Sequence, residues 1–133
     1  MVHAAVTDTH PLLFYAAGSR RLGKKAATLF DGADQQRCII YVPAAVIWES
    51  ALLARIGRMD FQRSVRDFYA ELFSNPAYQP VDLTPARIYL AADMRPNDDP
   101  FDPLICAAAQ HLELPLITRD ADIERSRLVK AIW

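Results

Sequence analysis

The chain has 133 residues, 52% of them hydrophobic and 23% charged, which sets disorder aside and predicts one domain over 1–133 with a core of its own. The net charge of −1 excludes a global basic field for non-specific nucleic-acid binding, so any such contact must come from local arginines or a metal ion. No apolar run approaches the roughly 18 residues that a membrane span needs, and MVHAAVTDTH has no basic start and is interrupted by Asp8, so a soluble, cytoplasmic protein without a signal peptide is expected.

Residues 4–7 (AAVT) predict a short strand stopped by Asp8, LLFYAA (12–17) a short helix ending at Gly18, and RRLGKKAATLFD (20–31) a second helix ending near Gly32. CIIYV (38–42) is a continuous β-branched run, as in a strand covered on both faces. Cys38 here and Cys106 in LICAAA read as buried reduced thiols. With three scattered histidines they make no zinc site.

Pro43 opens the helix AAVIWESALLARIG, and Gly57 stops it. The next segment, 60–73, predicts a helix capped by Asp60, with Phe61, Val65, Phe68, Tyr69, Leu72 and Phe73 on one face. Asn75-Pro76 ends it. YQPVDL (78–83) predicts a strand, Thr84-Pro85 a capped helix, LICAAAQHL the body of another, PLIT (115–118) a strand, and RLVKAIW (127–133) a last short strand. Alternating strands and helices predict an α/β fold with a small, mostly parallel central sheet flanked by helices. Ligands in such folds gather beyond the carboxyl ends of the strands.

Asp8 follows the first strand directly, and Asp120 follows PLIT by one residue beyond Thr118. Either acid also reads as an ordinary cap of a following helix. Glu49 shares a helical face with Ala45, Val46, Leu52, Leu53 and Ile56, all apolar. A glutamate on such a face needs a partner: a shared site, or a structural salt bridge to an arginine such as Arg119. It lies about two turns, roughly 9 Å, into its helix and leans back toward the helix start. In NDDPFDPLI (97–105), Pro103 and the pre-proline restriction on Asp102 predict a tight turn over 99–102, with the regular helix at or after Asp102. Capping accounts for one of Asp99 and Asp102 but not both, and Asp98 is expected to face solvent. Carboxylates gathered in one cleft repel one another. A hard divalent ion, Mg2+ or Mn2+, removes that repulsion, prefers oxygen ligands and serves phosphodiester hydrolysis.

The ordered set VTDTHPLLF, VIWESAL, DPFDPLICAAAQ, LPLITRD and AIW resembles the PIN-domain nucleases, in particular the VapC-type toxins of toxin–antitoxin pairs. The resemblance runs nearly end to end. It implies a PIN-like fold and Mg2+- or Mn2+-dependent cleavage of RNA. Asp8 and Asp102 would be the main metal ligands. Glu49 would bind metal or orient the attacking water, Asp120 would complete the ring, and Asp99 would support it. Thr9 and Thr118 are candidates for hydrogen bonds to waters on the metal. The resemblance also implies a homodimer and a cognate antitoxin whose tail blocks the cleft. Departures are Val46 where many relatives have serine, Asn97 where many have histidine, and Pro103 where an arginine is common.

Candidates for RNA contact are Arg20, Arg21, Lys24, Lys25 and Arg119; each also reads as ordinary surface charge or a salt-bridge partner. Trp48 and the 61–73 stripe read as core or dimer surface. Two other classes stay open. One is a catalytically inactive PIN-like module that binds RNA or protein. The other is a different Mg2+ enzyme such as a phosphatase, disfavoured because Asp8-Thr9-His10 offers one acid where an Asp-x-Asp pair is usual.

Overall fold

The first strand, β1 (Ala4–Thr7), buries Ala5, Val6 and Thr7 completely. It is followed by α1 (Thr9–Ala16), α2 (Lys24–Asp34), β2 (Ile39–Pro43), α3 (Ala44–Arg55), α4 (Val65–Phe73) and β3 (Tyr78–Val81). The remaining elements are α5 (Pro85–Asp93), α6 (Asp102–Leu112), β4 (Leu116–Ile117), α7 (Ala121–Ser126) and β5 (Ala131–Ile132). The computed structural model describes residues 3–133.

The five strands form one parallel sheet in the order β3-β2-β1-β4-β5. Parallel neighbours need crossover connections, and the helices supply them. Pro80 lies in β3 at the sheet edge, where a missing amide costs no ladder bond. Phe30, Leu12, Ile40, Ile105, Leu116, Ile117 and Ile123 are fully buried, and each such side chain contributes about 1.5–3 kcal/mol of transfer free energy. The chain leaves β1 in one direction to β2 and β3, then crosses to β4 and β5 on the other side. This reversal of strand order opens a crevice beyond the carboxyl ends of β1 and β4.

Several predicted elements differ in extent. The helix expected at 12–17 starts at Thr9, because Asp8 caps it. The one expected at 20–31 starts only at Lys24 and runs past Gly32 to Asp34. Gly23 is its extended N-cap, and the Trp133 carbonyl accepts the Lys25 and Ala26 amides in place of a side-chain cap. Gly32 stays inside the helix for a packing reason: a Cβ there would lie 2.7 Å from the Cys38 sulfur. Asp60 does not cap a helix over 60–73. It accepts the Gln62 amide at 2.7 Å in a turn, and α4 starts at Val65 behind Ser64, which accepts the Asp67 amide. Phe61 nevertheless packs edge-on against Phe68, at 5.0 Å between centroids.

The strand expected at 78–83 ends at Val81. In β2 Ile40 and Val42 are buried on both sides as expected, but Ile39 is 39% exposed. Helix α7 was not expected. It takes up 121–126, ends at Arg127 in the left-handed region, and leaves only Ala131–Ile132 for the last strand. The stops at Gly18 and Gly57 hold, with φ of +65° and +75° that favour glycine. Among the described residues no helix is long and apolar enough to cross a membrane.

Candidate active site: an acidic cleft

Asp8 sits at the end of β1 with extended backbone angles and caps α1. Its Oδ1 accepts the Thr9 amide at 2.7 Å, and its Oδ2 accepts the Thr118 hydroxyl, also at 2.7 Å. Thr118 in turn accepts the Asp120 amide at 3.2 Å, and Asp120 Oδ1 accepts the Ile123 amide as the N-cap of α7. The capping reading is therefore correct for both strand-end acids. One buried threonine ties the two of them together across adjacent parallel strands.

Glu49 is half-buried on α3. The salt bridge weighed for it is not formed. Its partner is Thr9, a fully buried residue whose hydroxyl donates to Glu49 Oε1 at 2.5 Å. Arg119 instead stacks on aromatic rings. The apolar face around Glu49 is buried at Ala45 and Val46 and opens toward Ile56, which is 63% exposed. The glutamate thus stands where the face meets the cleft.

At the 97–105 segment, Asp99 Oδ1 accepts the amides of Phe101 and Asp102 at 2.7 and 3.0 Å, forming the expected turn. Helix α6 starts at Asp102, and its N-cap position, Phe101, supplies no side-chain bond. Asp99 does the capping, which leaves the Asp102 carboxylate available. Asn97 orients it by donating from its side-chain amide to Asp102 Oδ2 at 2.7 Å. Asp98 is exposed, as expected.

These acids act on one another. Burial pushes Asp8, Glu49 and Asp102 above the ordinary carboxylate range, Asp102 to about 7. Hydrogen bonds from Thr118, Thr9 and Asn97 respectively pull each back. Neighbouring charge raises them further: Asp120 acts on Asp8; Asp8 and Asp99 act on Glu49; and Asp8, Asp99 and Asp120 act on Asp102. Thr9, bonded to Asp8 and Glu49, and Thr118, bonded to Asp8 and Asp120, tie three of the acids into one hydrogen-bonded group at this cleft. Beneath it, buried Cys106 is pushed up to about 12, by burial and then by Asp102, Asp8 and Asp120.

The PIN-domain family profile matches residues 5–127, nearly the whole chain. The chain belongs to the PIN-domain family. Among solved structures, this PIN domain is similar to VapBC2 from Rickettsia felis bound to a promoter DNA fragment, at 12% identity and a TM-score of 0.68 with 97% of each chain covered. It is similar to FitAcB from Neisseria gonorrhoeae at 14% identity and a TM-score of 0.66, covering 97% of this chain and 96% of that one. It also resembles FitAB bound to the IR36 DNA fragment, at 13% identity and a TM-score of 0.66, covering 96% and 93%. These identities make the likeness one of fold. No curated protein matches the sequence.

The donor chemistry of this PIN domain suits a hard divalent cation. The cleft offers carboxylate oxygens backed by threonine hydroxyls, and its mutual repulsion is the kind that positive charge relieves. Among the described residues no three or more His, Cys, Asp or Glu side chains are grouped so that they could hold a metal ion between them.

The predicted RNA-contact residues divide. Arg119 and Arg21 converge on the Phe14 ring of α1. Lys25 lines a cavity of about 730 Å3 with Leu29, Arg37 and Lys130. Among the described residues no ion pair joins Arg20, Lys24 or Lys25 to the acids. Sequence reasoning missed Asn97 as the group orienting Asp102. The Asn-x-Asp spacing was a usable signal for Asn97, since Asn97 also accepts the Asp99 amide.

Proposed function

We propose that this PIN domain is a Mg2+- or Mn2+-dependent endoribonuclease and the toxin component of a type II toxin–antitoxin pair. The observation that carries this reading is the hydrogen-bonded chain that runs from Glu49 through Thr9 to Asp8 and on through Thr118 to Asp120, beyond the ends of β1 and β4. Membership in a family whose members are generally nucleases supports it, as does the fold shared with VapBC2 and FitAB.

Asp8 and Asp102 would hold the ion, Glu49 and Asp120 would complete the ring, and Asp99 would support it. When bound, the ion supplies an activated water and offsets charge building on the phosphate. Thr118 and Asn97 hold the Asp8 and Asp102 carboxylates in place. Glu49, held by Thr9, orients the attacking water and takes its proton, a role for which a raised pKa suits it. An antitoxin and a second copy of the chain are the expected protein partners. Exposed Trp48 and Ile56 at α3, and Ile88 and Tyr89 on α5, offer apolar surface for them.

The test is cleavage of single-stranded RNA with Mg2+ or Mn2+, compared with a chelator, for the wild type and for Asp8→Asn, Asp8→Ala and Asp102→Asn. Cleavage that needs the metal and is lost in these variants is expected. Undiminished cleavage by folded variants removes the mechanism. RNA binding by the wild type without cleavage under any metal condition replaces it with a non-catalytic binding module.

A further inference from the structure

Two guanidinium groups meet over one ring of α1, the helix that Asp8 caps. Arg21 Cζ lies 4.7 Å from the centroid of Phe14, and Arg119 Cζ lies 5.7 Å from the same centroid. Arg119 also lies 5.5 Å from the Trp133 ring, which meets Phe14 edge-on at 6.4 Å between centroids. The two charges are therefore within about 10 Å of each other and repel. Both residues are exposed. Among the described residues the ion pairs are Arg63–Glu71 and Arg125–Asp122, so neither Arg21 nor Arg119 has a carboxylate partner. Cation–π contacts hold each arginine against the rings. They fix the position of the positive charge without neutralising it.

The platform is built on the same elements as the acids. Phe14 lies on α1, the helix that Asp8 caps, roughly 9 Å along its axis from that cap. The His10 ring lies between them in sequence, 6.1 Å from Phe14. Arg119 stands in the chain between Thr118, which holds Asp8, and Asp120. In a protein whose net charge is −1, these are unneutralised cations placed beside a cleft for phosphodiester chemistry. Surfaces that join guanidinium groups to aromatic rings suit single strands, whose backbone is anionic and whose bases are free to stack.

We infer that Arg21 and Arg119, seated on Phe14 and Trp133, form a phosphate subsite that grips the RNA strand next to the bond being cut. This inference rests on the proposed nuclease function and adds where the substrate strand runs. Arg20, Lys24 and Lys25 lie outside the subsite.

The experiment is binding of a fluorescently labelled single-stranded RNA, read by anisotropy over a salt series with a chelator present so that nothing is cut. The proteins are the wild type, Arg21→Gln/Arg119→Gln, Phe14→Leu, and a control, Arg55→Gln/Arg58→Gln, that removes equal charge from the end of α3. Thermal melts verify folding. In the arginine double variant the Kd rises on the order of tenfold, and the slope of log affinity against log salt becomes shallower by roughly 0.7 to 1.4. Phe14→Leu, with its charges intact, weakens binding by a smaller factor, and the control changes neither quantity. Unchanged affinity and slope in the double variant, or an equal loss in the control, overturns the subsite. Binding through Arg21 and Arg119 without cleavage under any metal condition defeats the nuclease reading and leaves the subsite standing. Metal-dependent cleavage with the same kcat/KM in the wild type and the double variant defeats the subsite alone.

Discussion

Thr118 is the joint between the two strand-end acids, and Thr118→Val removes that joint while keeping the side chain's shape. The residue is 2% exposed; its hydroxyl donates to Asp8 Oδ2 at 2.7 Å and accepts the Asp120 amide at 3.2 Å. A hydrogen bond to an ionised group contributes about 1.5–3 kcal/mol, and an unmet buried partner adds to the loss. The extra methyl returns up to about 0.8 kcal/mol. The net expectation at neutral pH is a loss of about 1.5–2.5 kcal/mol, roughly 5–12 °C in Tm for a chain of this size.

The loss depends on pH. Burial raises the folded pKa of Asp8 above its ordinary 3.8. The stability this group contributes is therefore fullest below that value, and it declines as pH climbs through the folded pKa. The Thr118 bond favours the charged form and limits the decline. Without the bond, the folded pKa rises further and the decline deepens. Urea unfolding of the metal-free protein at a series of pH values between about 4 and 8 is the assay. The gap between wild type and variant should widen as pH rises. A gap that is absent, or the same at every pH, would mean that Thr118 does not hold an ionised Asp8.

Asp102→Asn removes a buried carboxylate that Asp8, Asp99 and Asp120 repel; it should stabilise the metal-free protein at pH 7.5 by on the order of 1 kcal/mol while abolishing RNA cleavage, read by melting and by gel assay. Wild-type metal-free protein should lose stability as pH rises from about 4 to about 7, the interval in which Asp102 is ionised in the unfolded chain but still holds its proton in the fold; a Tm flat across that range contradicts the acidic cluster. Gly23→Ala would place a Cβ 2.3 Å from the Trp133 carbonyl oxygen, which caps α2, so unfolding should come at lower denaturant by about 1–3 kcal/mol. Tyr78→Phe deletes the hydroxyl that donates to Asp34 at 3.1 Å beneath α2 and should cost about 1.5–3 kcal/mol in the same assay, with RNA cleavage unchanged.

Short-range features of this chain were legible because their physics is short-range. The turn over 99–102 follows from two prolines and an aspartate that bonds amides two and three residues ahead. The start of α6 at Asp102 and the Thr84-Pro85 cap have the same origin. The strand-end positions of Asp8 and Asp120 follow from apolar runs that stop at polar residues, and alternation of strand and helix gave the α/β class. Folding itself decided what lies opposite what. Asp8 meets Thr118 across 110 positions of sequence, and Glu49 meets Thr9 across 40. The start of α2 depends on the Trp133 carbonyl, far away in the chain. The meeting of Arg21 and Arg119 on Phe14 depends on how the segment before α2 and the end of β4 close over α1. Local propensity carries no information about such pairs. They exist only after the sheet order is set and the side chains pack, so the amino-acid sequence supplied the acids and the tertiary structure linked Glu49, Asp8 and Asp120 through Thr9 and Thr118.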